Sequence, residues 1–271
     1  MKKNAYLLVI LALMITLGML VGCTGTSPSI PSGNHTDEMK IPYGTDLSAE
    51  DGADSVEREG DHAGSPYFST LDFYNMSSTD TLTILPKFKT QQQTSEWSCG
   101  VTSALMVLEW YGERGDHDEL SLSEFRNASE HDAENLPGSS AASATSLQQM
   151  IDIFEGVGGF DLYSTFDCAD DVYDTFTLEY VREMLEAGTP ILVGWNDWGG
   201  HWQVIIGYDT MGTEFESDDV IIVADPYDTT DHNQDGYGVY GAERFIYNFT
   251  FYNFFPEEEL NDMAFLIAQP Q

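Results

Sequence analysis

The stretch Cys99 to Tyr111, CGVTSALMVLEWY, has good helix formers, almost no polar face and a glycine stop at Gly112. A helix that is apolar nearly all round has to be enclosed, so the rest of the chain must supply the layers that cover it. Around it lie three further helical patterns. One spans Asp118 to Ala128. The next has Thr145 and Gln148 in capping-box spacing, apolar Leu147, Met150, Ile151 and Phe154, and a stop at Gly156. The last runs from Leu178 to Ala187, with Val181, Met184 and Leu185 on one face and Gly188 after it. Beyond Gly188 the texture turns β-branched and aromatic, in Pro190–Trp195, His201–Tyr208, Val220–Ala224, Phe245–Phe251 and Ala264–Ala268. Helices first and strands afterwards, without βαβ alternation, predict an α+β domain with an antiparallel sheet.

The amino terminus reads as an address. Lys2-Lys3, an apolar run from Tyr6 to Val21 and the ending Leu20-Val21-Gly22-Cys23 make residues 1–22 a secretory leader. That ending resembles the lipobox of prokaryotic lipoproteins, which implies lipidation of Cys23 and a chain held on the outer face of the cell membrane; an uncleaved anchor is the other reading. Residues 23–66, rich in Gly, Ser, Pro and acids and lacking apolar periodicity, are expected to form a disordered acidic tether, and 67–271 a single folded domain. With 46 acidic against 10 basic residues the formal charge is −36. No basic run follows Lys2-Lys3, which argues against nucleic acid as a partner and favours cationic ones.

Cys99 stands where the buried helix should begin, between Glu96-Trp97-Ser98 and Gly100. Free N–H groups and the positive dipole end at a helix start stabilise a thiolate, and Gly100 is expected to let a substrate backbone approach. Gln93-x5-Cys99-Gly100 leads into a helix ending Glu109-Trp110-Tyr111-Gly112. Pro190-Ile191-Leu192-Val193 follows, then Gly200-His201-Trp202-Gln203-Val204-Ile205-Ile206-Gly207-Tyr208, and then Ala224-Asp225-Pro226. In this order the pieces, spanning roughly Gln91 to Pro226, resemble the papain-like cysteine peptidases, and among them the C39 group of bacteriocin-processing peptidases and their stand-alone relatives.

The resemblance implies a papain-like α+β fold, in which a helical half carrying the nucleophile helix packs on a carboxy-terminal antiparallel sheet. It implies Cys99 as nucleophile, His201 as general base and acid, Asp225 as the carboxylate that orients the imidazole, and Gln93 as oxyanion donor, with Gln91 and Gln92 as rivals for that last role. No cofactor is required. Pairing His201–Tyr208 with Val220–Asp225 as a hairpin, Tyr208 opposite Asp219, supports Asp225 independently, since it then falls opposite Trp202. Asp209 and Asp197 are the weaker alternatives, and His232 lacks the strand setting of His201.

Cys168, in the acidic Phe166-Asp167-Cys168-Ala169-Asp170, reads as a bystander, although two extracytoplasmic thiols can also pair. Asp231, Asn233 and Asp235, followed by Gly236, repeat the first half of a calcium loop, but position 12 is Ala242. A structural calcium therefore competes with an Asx-rich turn held by its own side chains. Asn34, Asn75, Asn127 and Asn248 lie in glycosylation sequons. The expected activity is hydrolysis of a peptide or protein substrate, basic by charge, at a lipid-anchored extracytoplasmic site. Acyl transfer with the same triad and a catalytically silent surface-binding lipoprotein are the alternatives.

Overall fold

The computed structural model describes residues 37–55, 66–68, 71–126, 144–168, 172–197, 200–229, 231, 233–251 and 261–271. The leader, Cys23 and His232 lie outside them. Strand β1 (Leu82–Ile84) precedes helices α1 (Cys99–Tyr111), α2 (Glu119–Ser123) and α3 (Leu147–Val157), after which come β2 (Phe160–Ser164), α4 (Val172–Thr175) and α5 (Leu178–Glu186). Strands β3 (Ile191–Trp195), β4 (His201–Asp209), β5 (Val220–Ala224) and β6 (Tyr237–Gly241) follow. The chain continues through α6 (Ala242–Asn248), the short pair β7 (Thr250–Phe251) and β8 (Asn261–Asp262), and β9 (Ala264–Pro270). Among the described residues, seven strands make one antiparallel sheet in the order β2-β9-β3-β4-β5-β6, with β1 also paired to β4 at the end that β3 leaves free.

The enclosure that α1 demands is supplied mainly by this sheet. Every residue from Cys99 to Leu108 is buried. Ser103 Oγ donates to the Trp202 carbonyl of β4 at 3.1 Å, and Trp202 Nε1 donates to the Thr145 carbonyl ahead of α3 at 2.7 Å, so the backbone and the indole of one residue tie the central strand to two helical segments. Gly112 ends α1 in the left-handed region, as its position after the apolar run implies.

Several elements differ from the sequence reading. Helix α2 is shorter than Asp118 to Ala128, with Asp118 as its cap. The capping box of α3 is Ser146 with Gln149, one residue later than Thr145 and Gln148, and the helix ends at Gly158 rather than Gly156. Phe245–Phe251 is mostly helix: Ala242, Phe245 and Phe249 recur at helical spacing and are buried, a period of 3.6 hidden in an aromatic run. Strands β2 and β6 went unread because each is short and only partly buried.

The tether is also corrected. Within 23–66, the described residues 37–55 pack on the domain. Met39 and Ile41 are each 2% exposed. Between them Lys40 bridges Thr90 in parallel, through Ile41 N–H to Thr90 O at 2.9 Å and Thr90 N–H to Met39 O at 3.0 Å. The segment then follows the next residues of that loop, with Ser48 N–H donating to Thr94 O and Asp54 N–H to Gln93 O. Two apolar side chains and a backbone ladder suffice to seat a stretch whose composition is that of a linker. Ile41→Ala should therefore cost about 2 to 4 kcal/mol, read as a lowered urea midpoint; a tether residue would show no change.

Candidate active site

The sheet register decides where the chemistry can sit. A bulge in β4 between Ile205 and Gly207 takes up one residue of the β4–β5 hairpin, so Tyr208 faces Ile221 while Val204 faces Ala224. The expected register was out by two residues at the turn end and by one at the other. The observed pairing leads β5 into Asp225 beside Gln203, and Gln203 shares the sheet face of His201 two residues earlier.

His201 opens β4, after Gly200 at φ 139°, a backbone value that suits glycine. Its Nε2–H donates to Asp225 Oδ1 at 2.7 Å. A carboxylate acceptor fixes the proton on Nε2 and leaves Nδ1 for the Cys99 thiol, with which His201 also interacts. Asp225 is held from three sides: besides His201, Gln203 Nε2 donates to Oδ2 at 2.7 Å and Tyr227 N–H to Oδ1 at 2.7 Å. Gln203 is itself fixed by Trp195 Nε1, which donates to its Oε1 at 2.9 Å, and Tyr240 OH lies 3.1 Å from Gln203 Nε2 and donates to Asp197 at 3.1 Å. Asp197 thus supports the network from behind. Asp209, at the far end of β4, bonds Met211 N–H.

Burial disfavours a charged imidazole, but the Asp225 charge and hydrogen bond, with a further contribution from Cys99, outweigh it and raise the His201 pKa to about 10. Asp225 is lowered: burial pushes its pKa up, and the His201 charge and the bonds from His201, Tyr227 and Gln203 overcome it. The raised His201 value contributes stability that is full below about pH 6.5 and lost as pH rises through about 10. The lowered Asp225 value contributes stability present above about pH 4 and lost as pH falls through its depressed pKa.

Cys99 is the first residue of α1, and the side chain of Ser98 before it makes no capping hydrogen bond to the first turn. A cavity of about 250 Å³ is lined by Gln93, Glu96, Cys99, Gly200, His201 and Tyr227. Three of the four expected active-site residues therefore share one surface, and the fourth, Asp225, stands behind the imidazole. Gly100 does not open this cavity: a Cβ there would come within 2.5 Å of the Thr145 side chain, so its small size serves packing. Of the three consecutive glutamines only Gln93 lines the cavity. One Nε2 hydrogen is given to Ser95 O at 2.6 Å, leaving the second, while Oε1 has no partner among the described residues.

Sequence reasoning missed Glu119, which is buried and raised in pKa by that burial. It accepts from Thr94 N–H and Oγ and from Thr102 Oγ1, joining the Gln93 loop to the first turn of α1. Its place as the first helical residue after the cap Asp118 gave no sign of this. Cys168 is a free thiol near Tyr163 and Ser164 O, and Cys99 is free as well. The loop read as half of a calcium site makes the turn bonds that compete with that reading: Asp231 Oδ1 accepts Asn233 N–H, Asp235 Oδ1 accepts Tyr237 N–H and Asp228 Oδ2 accepts Gly236 N–H. Among the described residues no three His, Cys, Asp or Glu side chains are grouped to hold a metal ion.

The model of the Peptidase_C39 like family matches residues 85–250. Among solved structures, a chain described as a C39-like peptidase from Bacillus anthracis is similar at 14% identity and a TM-score of 0.41, over 71% of this chain and 99% of that one. No curated protein matches the sequence.

The Asp225 charge is what keeps the buried imidazole protonated. Asp225→Asn should therefore bring the His201 pKa down from about 10 to the ordinary imidazole range or below, measured by NMR titration of the ring. A value still near 10 would show that another group holds the proton.

Proposed function

The chain belongs to the Peptidase_C39 like family and carries its papain-like α+β fold, and from that premise we propose that it is a cysteine peptidase acting through Cys99, His201 and Asp225. The observation that carries this reading is the buried His201–Asp225 pair beside a cysteine at a helix start.

In this mechanism His201 holds the Cys99 proton on Nδ1 in a resting thiolate–imidazolium pair, and the thiolate attacks the scissile carbonyl. The Cys99 backbone N–H and the second N–H of Gln93 hold the oxyanion, a contribution of about 100- to 1000-fold in rate. The imidazolium then protonates the leaving amine, and a water activated by His201 hydrolyses the thioester. Asp225 stays ionised throughout and steadies the imidazolium, and Gln203 and Tyr227 keep it aimed. The reading extends to the leader: lipidation at Cys23 would tether the enzyme to the outer face of the membrane. Among the described residues no helix is long and apolar enough to cross a membrane.

The test uses the reduced chain from Thr24 onward with a peptide library and iodoacetamide. The intact protein should release products, and Cys99→Ala and His201→Ala should each lower turnover by about 1000-fold or more. Mass spectrometry should find Cys99 alkylated faster than Cys168, and His201→Ala should slow Cys99 alone. Peptide binding that survives Cys99→Ala, with no turnover by the intact chain, would replace the enzyme with a binding lipoprotein.

A further inference from the structure

We propose that Glu96 is the specificity determinant of this cavity and selects a substrate with a lysine or arginine side chain next to the scissile bond; the inference rests on the peptidase reading above. Glu96 lies three residues before Cys99 and is the one carboxylate among the residues lining the cavity. It is held in place. Tyr227 OH donates to its Oε1 at 2.8 Å and Gly52 N–H does so at 3.3 Å, while its own N–H donates to Asp51 Oδ1 at 3.1 Å. Both bonds to the side chain use Oε1, and Oε2 has no hydrogen-bond partner among the described residues.

The charge there is uncompensated. Among the described residues the ion pairs are those of Lys89 and Arg114 with Glu109, and of His201 with Asp225; neither Glu96 nor Asp51 has a cationic partner. The pair of carboxylates acts on its surroundings: burial, then Glu96, then Asp51 raise the Tyr227 hydroxyl to about 12. Gln93, in the same lining, is 1% exposed, and its Oε1 has no hydrogen-bond partner among the described residues. A cavity beside Cys99 with a fixed, unpaired carboxylate in its lining fits a donor-rich cation. An ammonium or guanidinium supplies several N–H groups and the missing positive charge. An acidic side chain at the same place would meet Glu96 and Asp51 as like charges.

This differs from attraction by the acidic surface as a whole, which draws cations toward the molecule without choosing the bond that is cut. The experiment separates the two. Matched fluorogenic peptides carry Lys, Ala or Glu at each position flanking the cleaved bond, and kcat/KM ratios are compared for the wild type, Glu96→Gln, Glu96→Lys and Glu183→Gln. Glutamine keeps an acceptor for Tyr227 and Gly52, so Glu96→Gln removes charge with little disturbance of the fold. Glu183, exposed on α5, provides an equal charge change elsewhere. The expected result is a Lys-to-Ala preference at one flanking position that falls about five- to tenfold in Glu96→Gln, the worth of one solvent-accessible pair with a preorganised carboxylate. It should invert toward Glu in Glu96→Lys and persist in Glu183→Gln. Ratios indifferent to Glu96, or lowered equally by Glu183→Gln, would overturn the inference while leaving the peptidase reading intact. Failure of the wild type to cleave any peptide would overturn the peptidase reading first, and this inference with it.

Discussion

A buried imidazole keeps a proton only where a negative charge stands close enough to offset its lost hydration, and here that charge is Asp225, 2.7 Å from His201 Nε2. Much of the sheet serves this contact. His201 must begin β4, Asp225 must follow β5, and the bulge between Ile205 and Gly207 must take up one residue for the two to meet. The carboxylate would be expensive to bury with His201 alone. Gln203 and Tyr227 share its remaining hydrogen-bonding capacity, and Trp195 and Tyr240 hold Gln203 in turn. A pair that is costly when half satisfied becomes a rigid feature of the core once every acceptor has a donor.

Much of this was legible because it depends on short-range patterns. The apolar run of α1 and its glycine stop gave both ends of that helix, and the β-branched runs gave β3, β4, β5 and β9 to within a residue or two. His201 could be located because it opens such a run, and Asp225 because it closes the neighbouring one. The register could not be read, since a bulge leaves no mark in a strand whose residues are buried on both faces. Gln203 is a near miss: two residues from His201 on a strand, it had to share that residue's face, yet nothing in its own chemistry asked for a partner. Phe245 to Phe251 misled because aromatic residues score for strand, while the buried positions 242, 245 and 249 follow the helix period.

Composition misled most clearly at residues 37–55. Gly, Ser, Pro and acids favour disorder on average because they leave little apolar surface to offset chain entropy. The average hides Met39 and Ile41, and it takes no account of backbone groups. Thr90, Gln93 and Thr94 present N–H and C=O groups along one side, and the passing segment satisfies them whatever side chains it carries. A ladder of this kind needs only an extended chain of sufficient length beside it, which a linker-like sequence supplies as well as a strand-like one.

That segment also explains how the Gln93 side of the cavity can be rigid without a regular element of its own. The loop from Gln91 to Ser98 belongs to no strand, and a polar loop at a cavity would ordinarily be free to shift. Here its backbone is bonded on one flank by residues 48 and 54, and Gln93 N–H donates to Pro226 O at 2.8 Å on the other. From below, Glu119 ties Thr94 to Thr102 in the first turn of α1, the helix that starts with Cys99. Gln93 and Cys99 are therefore fixed relative to each other by a buried carboxylate that touches neither. Pro226 adjoins Asp225, so the same loop is also joined to the residue that orients His201. Positions 93 and 99 lie far in sequence from 201 and 225, and the geometry that joins them is set by groups other than these four side chains. Preorganisation in this cavity is thus a property of its supports, Glu119, Gln203 and the 37–55 segment, as much as of the residues that would meet a substrate.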